Sequence, residues 1–145
     1  MFAKQLTVFI ENRTGRLCEV LNVLKNNNVN ILSLSLADTT EFGLLRLIVD
    51  LPEVGKEKLK ENGFSSLLSD VSIIKIPHKV GRLQELLKAI DQSDVNIEYM
   101  YGLSVDGDEA YVVLKASDVN KIDTILAENN IETVSCEYIA NKNIK

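Results

Sequence analysis

The sequence predicts an α+β protein built as two copies of one βαββαβ unit, in tandem and with their sheets side by side. Three observations carry that prediction: an internal repeat, apolar residues that switch between strand and helix periods, and turn residues between the periodic runs. Sliding the chain by 66 positions sets IENRTGRLCEVLNVLKNNNVNI (10–31) on IPHKVGRLQELLKAIDQSDVNI (76–97), with nine identities in 22 positions and no gap. The first copy is assigned residues 1–70 and the second 71–145.

Each copy opens on a strand. Leu6, Val8 and Ile10 alternate with Gln5, Thr7 and Phe9, and Ile74 and Ile76 flank Lys75, which is strand periodicity. A helix follows, because Leu17, Val20, Leu21 and Leu24 recur as Leu83, Leu86, Leu87 and Ile90 at spacings of i, i+3, i+4 and i+7. NNNVNILSLSLADT and QSDVNIEYMYGLSV read as a polar stop and a second strand, and FGLLRLIVDL and EAYVVLKA as a third. Pro52 and the pair Ser117 and Asp118 mark the start of a second helix. That helix ends in LKENGF and LAENNI, where Gly63 and Asn130 are residue types that tolerate the left-handed conformation of a helix end. Closing strands are expected near Ser65–Ser69 and Ile131–Ile139, with no linker between the copies. The order is that of the ferredoxin-like fold.

Composition narrows the function. Of the 145 residues 46% are hydrophobic and 26% charged, enough apolar material for packed cores. The net charge of −5, with no lysine or arginine run, argues against nucleic acid. No long apolar stretch or leader pattern is present, so a cytoplasmic protein with no membrane partner is expected. Cys18 and Cys136 stand apart and read as buried reduced thiols rather than as a metal or redox pair.

The segment NRTGRLCEVL raises the functional question. A glycine turn from strand to helix lets the backbone come close to a ligand, and the helix start offers unpaired N–H groups and a positive dipole end that suit a carboxylate or phosphate. The same turn can equally be a bare helix entry. In both copies VNI opens the second strand, which is expected at the same end of the sheet as the turn, so Asn30 and Asn96 would add a polar side chain there. Asparagine is also an ordinary turn residue.

The turn, the VNI strand start and the βαββαβ order together resemble the ACT domain, the regulatory module that binds amino acids. ENRTGRL is especially similar to the serine-sensing ACT pattern His-Glu-Asn-Arg-Pro-Gly followed by Val-Asn-Ile. LSLADTTEFGLLRLIVDLPE and VNIEYMYG resemble small stand-alone tandem-ACT proteins that carry no catalytic domain. The resemblance implies that Asn12 and Asn30 hold a ligand's amino and carboxylate groups, with Arg13, Thr14, Gly15, Arg16, Leu17 and Ile31 around them. In the second copy it implies His78, Lys79, Val80, Gly81, Arg82 and Leu83, with Asn96 and Ile97. Thr14 and Val80 stand where the family has proline, which loosens the turn, and Ile10 stands for the histidine of the serine pattern, so serine specificity does not carry over.

His78 has no second histidine or cysteine cluster beside it, so a catalytic or metal role is not expected, and ligand contact or plain exposure is. Tyr99, Met100 and Tyr101 floor a pocket or fill packing between elements, and Arg16 and Arg82 point to solvent or to a ligand carboxylate. No nucleophile with its base, carboxylate pair or metal set is legible, so no enzyme activity, cofactor or metal is expected. The expected function is regulatory: a homodimer binds a free amino acid at the interface between modules and signals to a partner, for which a metabolic enzyme is a candidate. The alternative is a ligand-independent scaffold that assembles with such an enzyme.

Overall fold

The computed structural model describes residues 2–11, 13–38 and 42–142. The chain runs β1 (Ala3–Glu11), α1 (Arg16–Asn26), β2 (Ile31–Asp38), β3 (Phe42–Val49), α2 (Pro52–Glu61) and β4 (Ser65–Pro77). It continues with α3 (Arg82–Asp91), β5 (Ile97–Asp106), β6 (Glu109–Ala116), α4 (Val119–Glu128), β7 (Glu132–Val134) and α5 (Cys136–Lys142). Contacts group it into two compact units, one of Lys4–Ser69 with Cys136–Lys145 and the other of Met1–Ala3 with Asp70–Ser135.

Both units realise the ferredoxin-like order. In the first, the strands lie β2-β3-β1-β4, with β1 and β2 both antiparallel to β3. In the second they lie β7-β4-β6-β5, with β6 antiparallel to both β4 and β5. The period-two residues Leu6, Val8, Ile10, Leu45 and Leu47 meet Val20, Leu24 and Leu59 from the helices in one buried cluster. Ile74, Ile76, Val112 and Leu114 meet Leu86, Ile90, Ile122 and Leu126 in the other. The two left-handed helix ends are formed as the sequence indicates, with Gly63 at φ +84 and Asn130 at φ +59.

Two local expectations are corrected. The closing strand of the first copy and the opening strand of the second are one element, β4, with no interruption at Asp70, because SSLLSDVSIIKIP contains no proline or glycine before its last residue. Only Glu132–Val134 of the expected strand to Ile139 pairs in the sheet, and the chain then turns into α5. That helix packs against β3 in the first unit. Its Ile139 is buried, as is Ile48, which lies outside the main cluster. Gln5 and Thr7 are buried as well, and the Gln5 amide donates to Thr7 Oγ1 at 3.0 Å.

The two copies solve one packing problem in opposite ways. In the first, Gly55 of α2 faces Leu6, and a Cβ there would stand 3.1 Å from Leu6 Cδ2 and 3.4 Å from Leu24 Cδ2. In the second, the matching positions hold Ser72 and Ile122, both almost fully buried. Leu6 pairs across to Leu47 as Ser72 pairs to Leu114, which fixes the equivalence. A large strand residue under a glycine has become a small strand residue under an isoleucine, and the volume of the layer is kept.

Candidate functional site

The glycine turn has the same backbone in both copies. Gly15 has φ +89 and Gly81 φ +85, and no atom lies within 4 Å of where either Cβ would stand. The glycines therefore serve the left-handed conformation and not a close contact. The Arg13 N–H donates to the Glu11 carbonyl at 2.8 Å, matched by Lys79 to Pro77 at 2.9 Å, and Glu19 and Glu85 each close the first helical turn onto their glycine at 3.0 Å. Among the described residues no side chain caps α1 or α3. By contrast Asp118 caps α4, accepting from the Asn120 and Lys121 N–H groups at 3.1 Å each. A capping side chain stabilises a helix by about 1 kcal/mol, so the two uncapped turns forgo that and leave N–H groups for water or an anion.

At the first turn these groups border a cleft of about 280 Å³, whose described lining is Ile10, Glu11, Arg13, Leu17, Leu36, Ala37 and Gly43. Four elements meet there: the end of β1, the start of α1, the end of β2 and the start of β3. Its other described lining residues are apolar, and the two described charges are of opposite sign, with Arg13 Nε 3.2 Å from Glu11 Oε2. Both side chains are more than half exposed, so this ion pair contributes little stability and is free to exchange partners. Of the residues implied by the resemblance, the structure brings Arg13 and Leu17 to this cleft, and Asn12 lies outside the described residues.

Two expectations about this site change. Arg16 does not reach toward the cleft or the solvent. Its guanidinium lies 4.4 Å from the centroid of the Phe64 ring and pairs with Glu19 at 2.6 Å, leaving its side chain 17% exposed. Asn30 and Ile31 are not at the same end of the sheet as the turn within their own unit. A chain that goes up β1 and down α1 begins β2 at the bottom, so the helix, about 16 Å long, separates them. There the Asn30 N–H donates to the Asp50 side-chain Oδ1 at 2.8 Å and the Asn30 carbonyl accepts from the Asp50 N–H at 3.1 Å, and Asn30 lines a different, open groove with Leu21 and Lys25. Thr14 is exposed at the outside of the turn.

In the second copy His78, Lys79, Val80, Arg82 and Leu83 are all exposed, Val80 completely. Arg82 pairs with Glu85 at 3.2 Å and has no aromatic counterpart of Phe64, because that position holds Ile131. The His78 N–H donates to the Asp108 carbonyl at 2.6 Å. Asn96 and Ile97 line a groove at the far end of α3, and the Asn96 N–H donates to Ser117 Oγ at 3.1 Å, the counterpart of the Asn30 arrangement. Tyr99 and Tyr101 stack at 6.5 Å on one face of β5, and Met100 packs into the core from the other.

Among the described residues no group of His, Cys, Asp and Glu is placed to hold a metal ion. No described helix is long and apolar enough to cross a membrane. The cysteines are free but not buried as expected: Cys18 is exposed and Cys136 half-buried, its thiol donating to the Lys4 carbonyl at 3.7 Å. Burial pushes the Cys136 thiol up, with backbone hydrogen bonds at Lys4 and at Cys136 itself opposing. Sequence reasoning missed Glu11, Leu36, Ala37 and Gly43. The available signal was Gly43, since glycine inside a strand marks a close approach.

Fold and site together define a tandem pair of ferredoxin-like modules, each opening on an uncapped glycine turn. The chain belongs to the ACT domain pair family, whose model matches residues 1–145. It is similar to the crystal structure of protein BT0572 from Bacteroides thetaiotaomicron, with 36% identity, a TM-score of 0.90, and 96% of each chain covered. The regulatory subunit of aspartate kinase from Thermus thermophilus, in a ligand-free form, shares the fold at 16% identity and a TM-score of 0.62, over 86% of this chain and 91% of that one. The corresponding subunit from Thermus flavus does so at 14% and 0.58, over 86% and 88%. No curated protein matches the chain in sequence.

Proposed function

We propose that the protein is a non-enzymatic regulator that binds a free amino acid at the interface between ACT modules of two chains and signals to a metabolic enzyme. The observation that carries this reading is the first-unit cleft: a carboxylate and a guanidinium 3.2 Å apart at its edge, with apolar residues among its lining, beside an uncapped helix start. A free α-amino acid carries a cation, an anion and a side chain in that arrangement, with Glu11 opposite the ammonium and Arg13 and the helix N–H groups opposite the carboxylate.

The second chain supplies what one unit cannot. β2 is the outer strand of its unit, with Leu34 and Leu36 each 48% exposed. An unpaired apolar edge favours pairing with another strand. Antiparallel pairing of two β2 strands about a twofold axis sets the start of one beside the end of the other. Asn30 of the partner subunit then arrives at the cleft beside Leu36 and Ala37. A ligand held across that seam prefers one arrangement of the two chains, and this preference is what an enzyme partner would read. Two free cysteines suit a cytoplasmic setting.

Thermal unfolding with each standard amino acid tests the reading. A ligand at about 100 times its Kd adds about 2.7 kcal/mol, a rise in Tm of about 5–10 °C for a chain of this size. No shift with any amino acid at millimolar concentration would overturn it and leave the scaffold alternative, which the exposed turn of the second unit favours there.

A further inference from the structure

We infer that Arg16 is a positioning residue of the first-unit cleft, one that holds the glycine turn in place before any ligand arrives by stacking on Phe64. The inference rests on the amino-acid reading above and concerns how that site is made ready. Arg13 and Leu17, which line the cleft, stand on either side of Arg16 in the chain. The backbone bonds of this segment are local: Arg13 N–H to the Glu11 carbonyl at 2.8 Å, Arg16 N–H to the Arg13 carbonyl at 3.4 Å, and Glu19 N–H to the Gly15 carbonyl at 3.0 Å. They close the turn on itself. Its tie to the rest of the unit comes from side chains, Leu17 packed against the core cluster and Arg16 on Phe64.

A cation at the first position of a helix meets the positive end of the helix dipole, where it is disfavoured. In the first unit two contacts offset this. The guanidinium lies 4.4 Å from the centroid of the Phe64 ring, an attraction that is strongest where both groups are shielded from water, as they are here. Glu19, one turn on, pairs with it at 2.6 Å. Phe64 belongs to the buried cluster, and its N–H donates to the Leu59 carbonyl at 2.9 Å, so the ring is fixed on the corner between α2 and β4. Arg16 thus fastens the turn to the core. Arg82 holds the same place on α3, but its side chain is 44% exposed, its pair with Glu85 is longer at 3.2 Å, and Ile131 stands where the ring would be. Leu83, the counterpart of Leu17, is exposed. A turn ordered in advance spares a ligand the cost of ordering it, which raises affinity. The first turn has that advantage over the second.

The test reads amide protection by NMR hydrogen exchange in the ligand-free full chain, at Arg13 and Glu19 in the first turn and at Lys79 and Glu85 in the second. Arg16→Gln and Phe64→Ile should each lower protection of the first pair about five- to thirtyfold, the span that a shielded contact between a guanidinium and a ring covers. The double variant should fall no further, because both changes remove one contact. Arg82→Gln should leave the second pair unchanged or better protected, since it removes an exposed ion pair and a cation at the wrong end of a dipole. Titration calorimetry with each of the standard amino acids should show the bound one weakened in Arg16→Gln by a similar factor. Unchanged protection or wild-type affinity in Arg16→Gln, an equal loss in Arg82→Gln, or losses that add in the double variant would overturn this inference and leave the amino-acid reading intact. Exchange is read without ligand, so it decides the anchor even if no amino acid binds, a result that would overturn the amino-acid reading alone. The comparison of Arg16→Gln with Arg82→Gln stands even if Phe64→Ile fails to fold.

Discussion

Exchanging Leu6 and Gly55 for the residues at their repeat positions tests whether the two copies share one packing solution. Leu6 is fully buried, and Gly55 lies on the inner face of α2 with 3.1 Å between its missing Cβ and Leu6 Cδ2. Leu6→Ser alone empties a leucine-sized volume, a loss of about 3–5 kcal/mol on the scale of leucine truncations. Gly55→Ile alone drives a branched side chain into Leu6 and Leu24, which costs about 1–3 kcal/mol, offset by only about 0.5 kcal/mol of improved helix propensity. If the sites were independent the double variant would lose about 5 kcal/mol or more, most of the stability of an ordinary domain. If the isoleucine fills the space the leucine leaves, as Ile122 does over Ser72, the double variant should lose only about 1–2 kcal/mol. Urea denaturation of the four proteins, with unchanged m-values, gives the coupling directly. A double variant as unstable as the sum of the single ones would refute the equivalence of the two layers.

Other expectations follow from the turn, the edge and the thiols. Gly15→Ala forces an L-residue to φ +89 and should destabilise the first unit by about 1–2 kcal/mol in the same denaturation experiment, through backbone strain alone. Leu34→Lys places a charge on the exposed edge of β2 and should shift light scattering from dimer to monomer without lowering the helix content. The Cys136 thiol is raised by burial, so its neutral form is the one the fold favours. Its contribution is complete below the ordinary thiol value and is lost as pH rises through the higher folded value, so stability should fall on the alkaline side and fall less in Cys136→Ala. Ellman's reagent should label exposed Cys18 rapidly and Cys136 only slowly.

The fold was largely legible because its signals are periodic and occur twice. The stripe from Leu17 to Leu24 and its copy from Leu83 to Ile90 placed two helices, and Gly63, Asn130 and Asp118 placed helix ends within a residue. The C-terminus misled because Val134, Cys136 and Tyr138 imitate a strand period, while α5 is decided by where Ile139 is buried. Gln5 and Thr7 are buried too, which no alternation rule reveals.

The site was less legible. Turn residues Arg13 and Leu17 were found from the motif, but Leu36, Ala37 and Gly43 come from strands brought alongside by register, which a linear pattern does not show. Asn30 was misplaced because a βαβ path puts the second strand's start at the far end of the helix. Arg16 was misjudged because Phe64, far along the chain, gives its guanidinium a face to stack on.

Mixing two defective chains tests the central claim most directly. Arg13→Gln damages the cleft and Asn30→Ala removes the proposed contribution of the second subunit, so each variant alone should bind the amino acid poorly. A mixed dimer restores one complete site, from the intact cleft of one chain and the intact Asn30 of the other. Titration calorimetry of the refolded mixture should therefore recover a fraction of sites at wild-type affinity. Binding that stays as weak as in either variant alone would contradict a site shared between two chains.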